Sequence, residues 1–314
     1  MNEGSGLGLH RFAVLTAGAT FVLLFAGGLV TSTGSGLAVP DWPLAFGQFF
    51  PEMVGGVLFE HGHRLAASLV GFLTLILSIW TVVSETRPGV RALGIAMILA
   101  VVLQGVLGGV TVLYKLPIAV SVTHACLAQT FFCLAVTMAI VTGPSWGPPR
   151  ARPLELGAPL PALALATTAT VFVQLILGAL TRHSGAGLAI PDFPLAFGRL
   201  VPPFETSLIA IHYAHRVGAL LVSVMVLTLA TTVLRHDDAT AATRRLAFLA
   251  VALLVAQISL GASIIWTHRS VVPTTTHLVI GAALLATCWA TTLRAGRSAV
   301  VAHVSHELPH GVPA

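Results

Sequence analysis

Apolar residues fall along this chain in eight blocks, roughly 12–31, 64–83, 92–113, 121–142, 160–180, 213–234, 246–267 and 275–293. Each is near the ~20 residues a helix needs to cross the hydrocarbon core of a bilayer. No run alternates polar and apolar positions with the period of two expected of a membrane strand. The first block is too long for the core of a signal peptide and lacks a clear small-residue cleavage signal. The pattern predicts an all-α, polytopic membrane protein with eight transmembrane helices.

Composition narrows the class further. Of 314 residues, 56% are hydrophobic and only 9% charged, and the mean hydropathy is +0.92. Soluble chains carry roughly 25% charge, so disorder, a disulfide scaffold and nucleic-acid binding are all disfavoured. The net charge of +5 does not mark an anionic partner, because the basic residues are scattered between apolar blocks. Their sides differ, however. Arg11, Arg87, Arg91, Arg150, Arg152, Arg235, Arg244, Arg245, Arg294 and Arg297 fall at the N-terminal end and in every second loop. The other side has Arg64, Lys115, Arg182, Arg199, Arg216 and Arg269. Basic residues stay on the cytoplasmic side, so both termini are expected in the cytoplasm, with loops 32–62 and 181–212 facing outward from the plasma membrane. The tail, residues 299–314 with His303, His306 and His310, reads as disordered and solvated.

The two outward loops repeat each other. Gly36-Leu37-Ala38-Val39-Pro40-Asp41-Trp42-Pro43-Leu44-Ala45-Phe46-Gly47 returns as Gly187-Leu188-Ala189-Ile190-Pro191-Asp192-Phe193-Pro194-Leu195-Ala196-Phe197-Gly198, identical at ten of twelve positions with an offset of 151. His63-Arg64 pairs with His215-Arg216 at an offset of 152, and Gln104 and His124 pair with Gln257 and His277 at 153. The chain therefore divides into tandem four-helix halves, 1–150 and 151–298. Each holds an even number of spans, so the copies are expected to share one orientation about a pseudo-two-fold axis along the membrane normal. A weaker repeat lies within: the odd-numbered spans carry Gly27-Gly28, Gly108-Gly109, Gly178-Ala179 and Gly261-Ala262, three of them four residues after Gln104, Gln174 and Gln257. Small pairs allow close helix packing, the favoured reading, or a surface for a flat cofactor. The glutamines are expected to hydrogen-bond between helices.

Four histidines, His63, His124, His215 and His277, sit near the outward ends of the even-numbered spans. One such histidine is ordinarily an interfacial residue, but four at matched depth in a duplicated bundle point to function. Two per half suit axial ligation of a haem iron, whereas zinc needs a tetrahedral set that the apolar neighbours do not offer. Arg64 and Arg216 follow two of them and suit haem propionates, with interface anchoring as the other reading. Glu60, three before His63, has His212 as its counterpart. It is read either as a proton donor or acceptor peculiar to the first half or as a helix cap. His61 and His183 have no counterpart histidines and are read as supporting or loop residues; His212 is read likewise, with support of His215 from one turn away as a further option. Asp41 and Asp192 are expected to shape their loops through backbone amides. Cys126, Cys133 and Cys288 all lie inside spans and imply no disulfide.

With these motifs in this order, nearly all of residues 10–295 resembles the haem A synthase family. The resemblance rests on the duplicated four-span unit, the Gly-Leu-Ala-x-Pro-Asp-[Trp/Phe]-Pro loop, Glu60-x-x-His63-Arg64, His124, His215-Arg216 and His277. It implies oxidation of the ring D methyl of haem o to a formyl group with oxygen from water, electrons leaving through a bound haem b. Carried over by position, His63, His124 and Arg64 face haem o, Glu60 is catalytic, and His215, His277 and Arg216 hold haem b. Implied partners are haem o synthase and a membrane electron acceptor such as a quinone, with a homo-oligomer open. Many bacterial members carry a cysteine pair in the first outward loop. Here Val39 and Ala45 stand in the corresponding places, and Ile190 and Ala196 in the second loop, so this is a variant without loop cysteines. Two other readings compete: a di-haem b-type electron-transfer protein, which would keep both haems tightly, and a repeat-built transporter, whose charges would lie at mid-membrane.

Overall fold

The computed structural model describes residues 3–146, 159–236 and 239–307. Among the described residues eight α-helices follow one another: α1 Glu3–Ser32, α2 Gly55–Ser84, α3 Pro88–Leu113, α4 Ile118–Val141, α5 Pro159–His183, α6 Ser207–Arg235, α7 Ala241–Trp266 and α8 Val271–Glu307. All eight contain a stretch long and apolar enough to cross a membrane. Among the described residues there is no β-strand, only one isolated bridge in each outward loop. The protein is an all-α, multi-pass membrane protein.

Several helices begin earlier than hydropathy suggests. The second block was expected from 64, yet α2 starts at Gly55; the sixth was expected from 213, and α6 starts at Ser207. The segments Glu60-His61-Gly62-His63 and His212-Tyr213-Ala214-His215 look like loop because they are polar. They are helical because their side chains find partners inside the bundle, Glu60, His61 and His212 all being buried. The four histidines consequently lie about two turns inside their helices rather than at the first turn. At the other end, α8 continues to Glu307, past the start expected for a disordered tail; residues 308–314, with His310, lie outside the described residues, as do Arg150 and Arg152.

Helix α1 packs on α2 and α4, and α3 packs on α2 and α4, closing a four-membered ring; α5, α6, α7 and α8 neighbour one another in the same cyclic order. The rings meet along α1, α4, α5 and α8. That seam has an apolar centre of Leu24, Phe132 and Ala282 and polar fastenings. Arg182 donates to Gly28 O at 2.7 Å and Ser32 Oγ at 3.1 Å, Thr275 Oγ1 donates to Ser32 Oγ at 2.8 Å, and Trp289 Nε1 donates to Thr137 Oγ1 at 2.8 Å. Such bonds resist slippage in an interior without water. On the opposite side of the protein from the outward loops, Glu85 pairs with Arg87 at 2.6 Å, and Arg87 reaches Val141 O at the end of α4. Its hydrogen bonds to Arg87 hold the Glu85 carboxyl below the usual carboxylate range.

Candidate functional site

Each outward loop is folded around its own aspartate. Asp41 accepts from the N–H groups of Phe46 (2.7 Å) and Gly47 (2.8 Å), and Asp192 accepts from Phe197 (2.7 Å) and Gly198 (2.8 Å). Phe46 and Phe197 have positive φ, 52° and 55°, a conformation that side chains other than glycine's adopt only when held. The same amides hold both carboxyls below their ordinary value, Gly47 foremost for Asp41 and Gly198 foremost for Asp192.

An arginine from the following helix then gathers each loop. Arg64 donates to the carbonyls of Asp41 (2.7 Å), Leu44 (3.1 Å) and Val39 (3.0 Å). Arg216 donates to the matching carbonyls of Asp192 (2.7 Å), Leu195 (2.8 Å) and Ile190 (3.2 Å). One turn earlier on each helix stands a second anchor. Glu60 accepts from Val39 N at 2.8 Å and from Arg64 at 2.6 Å; His212 accepts from Ile190 N at 3.2 Å and faces Arg216 Nε at 3.4 Å. His212 is thus the working twin of Glu60. Of the two readings open to it, loop residue or support of His215, the contact with Ile190 N is the first. The (i, i+4) spacing of Glu60 with Arg64 and of His212 with Arg216 was the available signal. His61 Nε2 lies 2.9 Å from Phe49 O, a further loop tie, and His183 ends α5, partly buried.

Beneath the loops lie the four histidines, one on each even-numbered helix. His63 on α2 and His124 on α4 belong to diagonally placed helices of the first ring, as do His215 on α6 and His277 on α8 in the second. Each ring rests on a glycine of the preceding helix. A Cβ built at Gly27 would lie 3.0 Å from His63 Cε1; at Gly108, 3.4 Å from that of His124; at Gly178, 3.1 Å from that of His215; at Gly261, 3.3 Å from that of His277. The surface the small residues offer is therefore taken by imidazoles. Gly109 serves differently: Trp42 of the outward loop lies so close over it that any Cβ would clash, and this lays the loop against α3 beside His124.

The rings of His215 and His277 are 6.4 Å apart between centroids and nearly perpendicular, at 74°. Two metal–imidazole bonds of ~2 Å on opposite sides of one ion would put ring centres about 6 Å apart. His277 Nδ1 lies 3.1 Å from Gln257 O; a proton on Nδ1 leaves Nε2 the lone pair that a metal ligand requires. In the first ring, Nδ1 of both His63 and His124 is buried without a hydrogen-bond partner. Among the described residues no three His, Cys, Asp or Glu side chains converge as a metal site. The donor set is two imidazoles per ring, which suits axial ligation of an iron whose other four ligands come from a porphyrin. Cys126, Cys133 and Cys288 are all unpaired.

Comparison with known proteins bears on what such a site serves. Residues 50–289 match the family described as "Cytochrome oxidase assembly protein" (COX15-CtaA). The chain is 34% identical over 258 residues to a protein of Symbiobacterium thermophilum named Heme A synthase, covering 77% of this chain and 82% of that one. It is 28% identical over 266 residues to a Heme A synthase of Shouchella clausii, covering 84% and 88%. A Heme A synthase of Halalkalibacterium halodurans is 29% identical over 296 residues, covering 89% and 95%.

Proposed function

The chain belongs to the COX15-CtaA family of cytochrome oxidase assembly proteins, and on that premise we propose that it is a haem A synthase of the plasma membrane, with both termini in the cytoplasm. The observation that carries the reading is the set of four half-buried imidazoles, paired across each helical ring, with His215 and His277 spaced for a single iron between them. The two rings form two working halves, related by a pseudo-two-fold axis along the membrane normal.

In this reading the first half takes haem o as substrate. His63 and His124 would hold its iron, and the methyl of ring D is oxidised to a formyl group in two rounds. In each, a C–H bond breaks and gives up two electrons, destined for the membrane acceptor, and a proton, while the oxygen of one water bonds to the carbon and its own proton is lost. The second round gives a geminal diol, and loss of water leaves the aldehyde. Glu60 is the residue suited to accept the proton of attacking water. Its oxygens each make one hydrogen bond, and a carboxylate has about four acceptor sites, so capacity remains. Arg64 and Arg216 add positive charge at the mouths of the two sites, where propionates would lie, while their N–H groups keep the loops closed. His215 and His277 would hold haem b, which supplies one-electron transfer when bound. The two electrons of each round would leave for a membrane acceptor such as a quinone, and haem o would come from haem o synthase.

The test is co-expression with a haem o source followed by chromatography of extracted haems. Haem a appears only when this protein is present; a preparation holding haem b and unaltered haem o would show an electron-transfer protein instead.

A further inference from the structure

Beyond the twelve matched positions of the outward loops the two copies diverge, yet one property persists. Phe49, Phe50 and Met53 recur as Leu200, Val201 and Phe204 at the same offset of 151. All six side chains are exposed, at 76%, 79% and 36% in the first loop and 83%, 58% and 56% in the second. Among them Pro51 returns as Pro202, and both prolines are buried, so each tip is fixed inside and apolar outside. A lone exposed apolar side chain is ordinary. Three within five positions, repeated in both copies, form a patch of the kind that marks contact with lipid or protein.

Each tip is pinned to the flank of the helix that follows it. His61 Nε2 lies 2.9 Å from Phe49 O, and Tyr213 Oη donates to Leu200 O at 3.1 Å. Tyr213 occupies the place of His61 at an offset of 152, so an imidazole and a phenol do one task. The Tyr213 ring also meets that of Phe204 edge-on, 5.6 Å between centroids. Both ties are rooted six residues past the first residue of their helices, about 9 Å along the axis. They bring the tips down beside α2 and α6 instead of leaving them above the bundle. Beside them runs the lipid-facing stripe of each helix. Leu58, Leu65 and Leu69 on α2 are exposed, as are Ala210, Val217 and Leu221 on α6, each set spaced along one helix face. His61 stands three residues after Leu58 and four before Leu65, and Tyr213 three after Ala210 and four before Val217, at the edge of the stripe. We propose that the tips 49–53 and 200–204 are seated in the bilayer, with Phe49, Phe50, Leu200 and Val201 resting on acyl chains at the headgroup boundary of the leaflet on the loop side. A tyrosine whose ring is apolar and whose hydroxyl is spent on a carbonyl suits that boundary. Glu52 and Glu205, both exposed, remain in the headgroup layer. A protein partner fits less well, because the patch occurs once on each ring and in both continues a surface that faces lipid. The loops over the imidazoles are thus held from two sides, by Arg64 and Arg216 from within and by lipid at the flank, whichever group the imidazoles bind.

The test uses the full chain in vesicles of phosphatidylcholine and phosphatidylglycerol. Cys126→Ala, Cys133→Ala and Cys288→Ala clear the native thiols, and a nitroxide is then attached at Phe50→Cys or Val201→Cys. Leu69→Cys, on the stripe of α2, gives the lipid reference, and Ser270→Cys, in the exposed turn between α7 and α8, the aqueous one. Electron paramagnetic resonance measures how often each nitroxide collides with dissolved oxygen, which concentrates in lipid, and with a water-soluble nickel chelate. At both tips the ratio of oxygen to nickel access should exceed that of Ser270→Cys several-fold and approach that of Leu69→Cys. A ratio at either tip equal to that of Ser270→Cys puts the tip in water and overturns the proposal. Poor access to both reagents means that protein covers the tip, a second copy or a partner, and overturns it equally. Should the labelled chains fail to assemble, Phe50→Trp in the otherwise parental chain decides. Brominated phosphatidylcholine should quench the fluorescence that this tryptophan adds, and added fluorescence left unquenched would overturn the proposal.

Discussion

A carboxylate in one half and an imidazole in the other accept the matching loop amide, Glu60 from Val39 N and His212 from Ile190 N; Glu60 also pairs with Arg64, whereas His212 only faces Arg216. Removing Glu60 by truncation would strand Arg64 among carbonyls. Breaking one side of a buried pair costs about 3–5 kcal/mol, which would obscure any loss of chemistry. Glu60→His is the cleaner probe, because it rebuilds in the first half the anchor that the second half already uses. The expected outcome is a folded protein with its haem b spectrum intact, accumulating haem o and making no haem a; near-parental haem a would show that Glu60 serves the loop alone. The sequence singled out both positions through their place three residues before His63 and His215. It did not disclose their shared task, because a carboxylate and a histidine look unlike until the backbone N–H that each accepts is in place.

At the scale of the element, the outward loops are held by aspartates that bond backbone amides, as residues flanked by prolines suggested. Their carboxyls are both held below the ordinary value of 3.8. A lowered carboxyl contributes order that is complete above 3.8 and fades as pH falls through its lower value in the folded loop. Protection of both loops from a non-specific protease should therefore be flat from neutral pH down to about 4 and decline only below that. Asp41→Asn should expose the first loop, and Asp192→Asn the second, already at neutral pH; unchanged cleavage patterns would remove the aspartates from this role. Helix existence was legible throughout because twenty apolar residues in a row permit little else. Helix starts were not, since the polar turns Glu60–His63 and His212–His215 are helical only through contacts made across the bundle.

Across the whole molecule, the duplication visible in residues 36–47 and 187–198 extends to loop, arginine net, glycine floor and imidazole. The two halves should nevertheless separate by spectroscopy. His215→Ala or His277→Ala should abolish the low-spin haem b spectrum. His63→Ala or His124→Ala should leave it in place while haem o goes unconverted, with weaker substrate retention because each truncation opens space beside the porphyrin. Loss of haem b from the first-half variants, and its persistence in the others, would reverse the assignment. Four matched histidines were readable from spacing alone. The seam between the rings was not, because Arg182, Ser32 and Thr275 are distant in sequence and follow no periodicity.

That seam has a further consequence. Arg182 is fixed to a carbonyl of α1 in its last turn, and Thr275 to the hydroxyl of the same helix end; a shift of one ring along the other would leave both without partners in a setting that supplies none. The gap between the two pairs of imidazoles is thereby a constant of the fold. Electron tunnelling slows exponentially with distance, so a seam fastened in part by Arg182, Ser32 and Thr275 would set the pace at which charge crosses from one pair to the other.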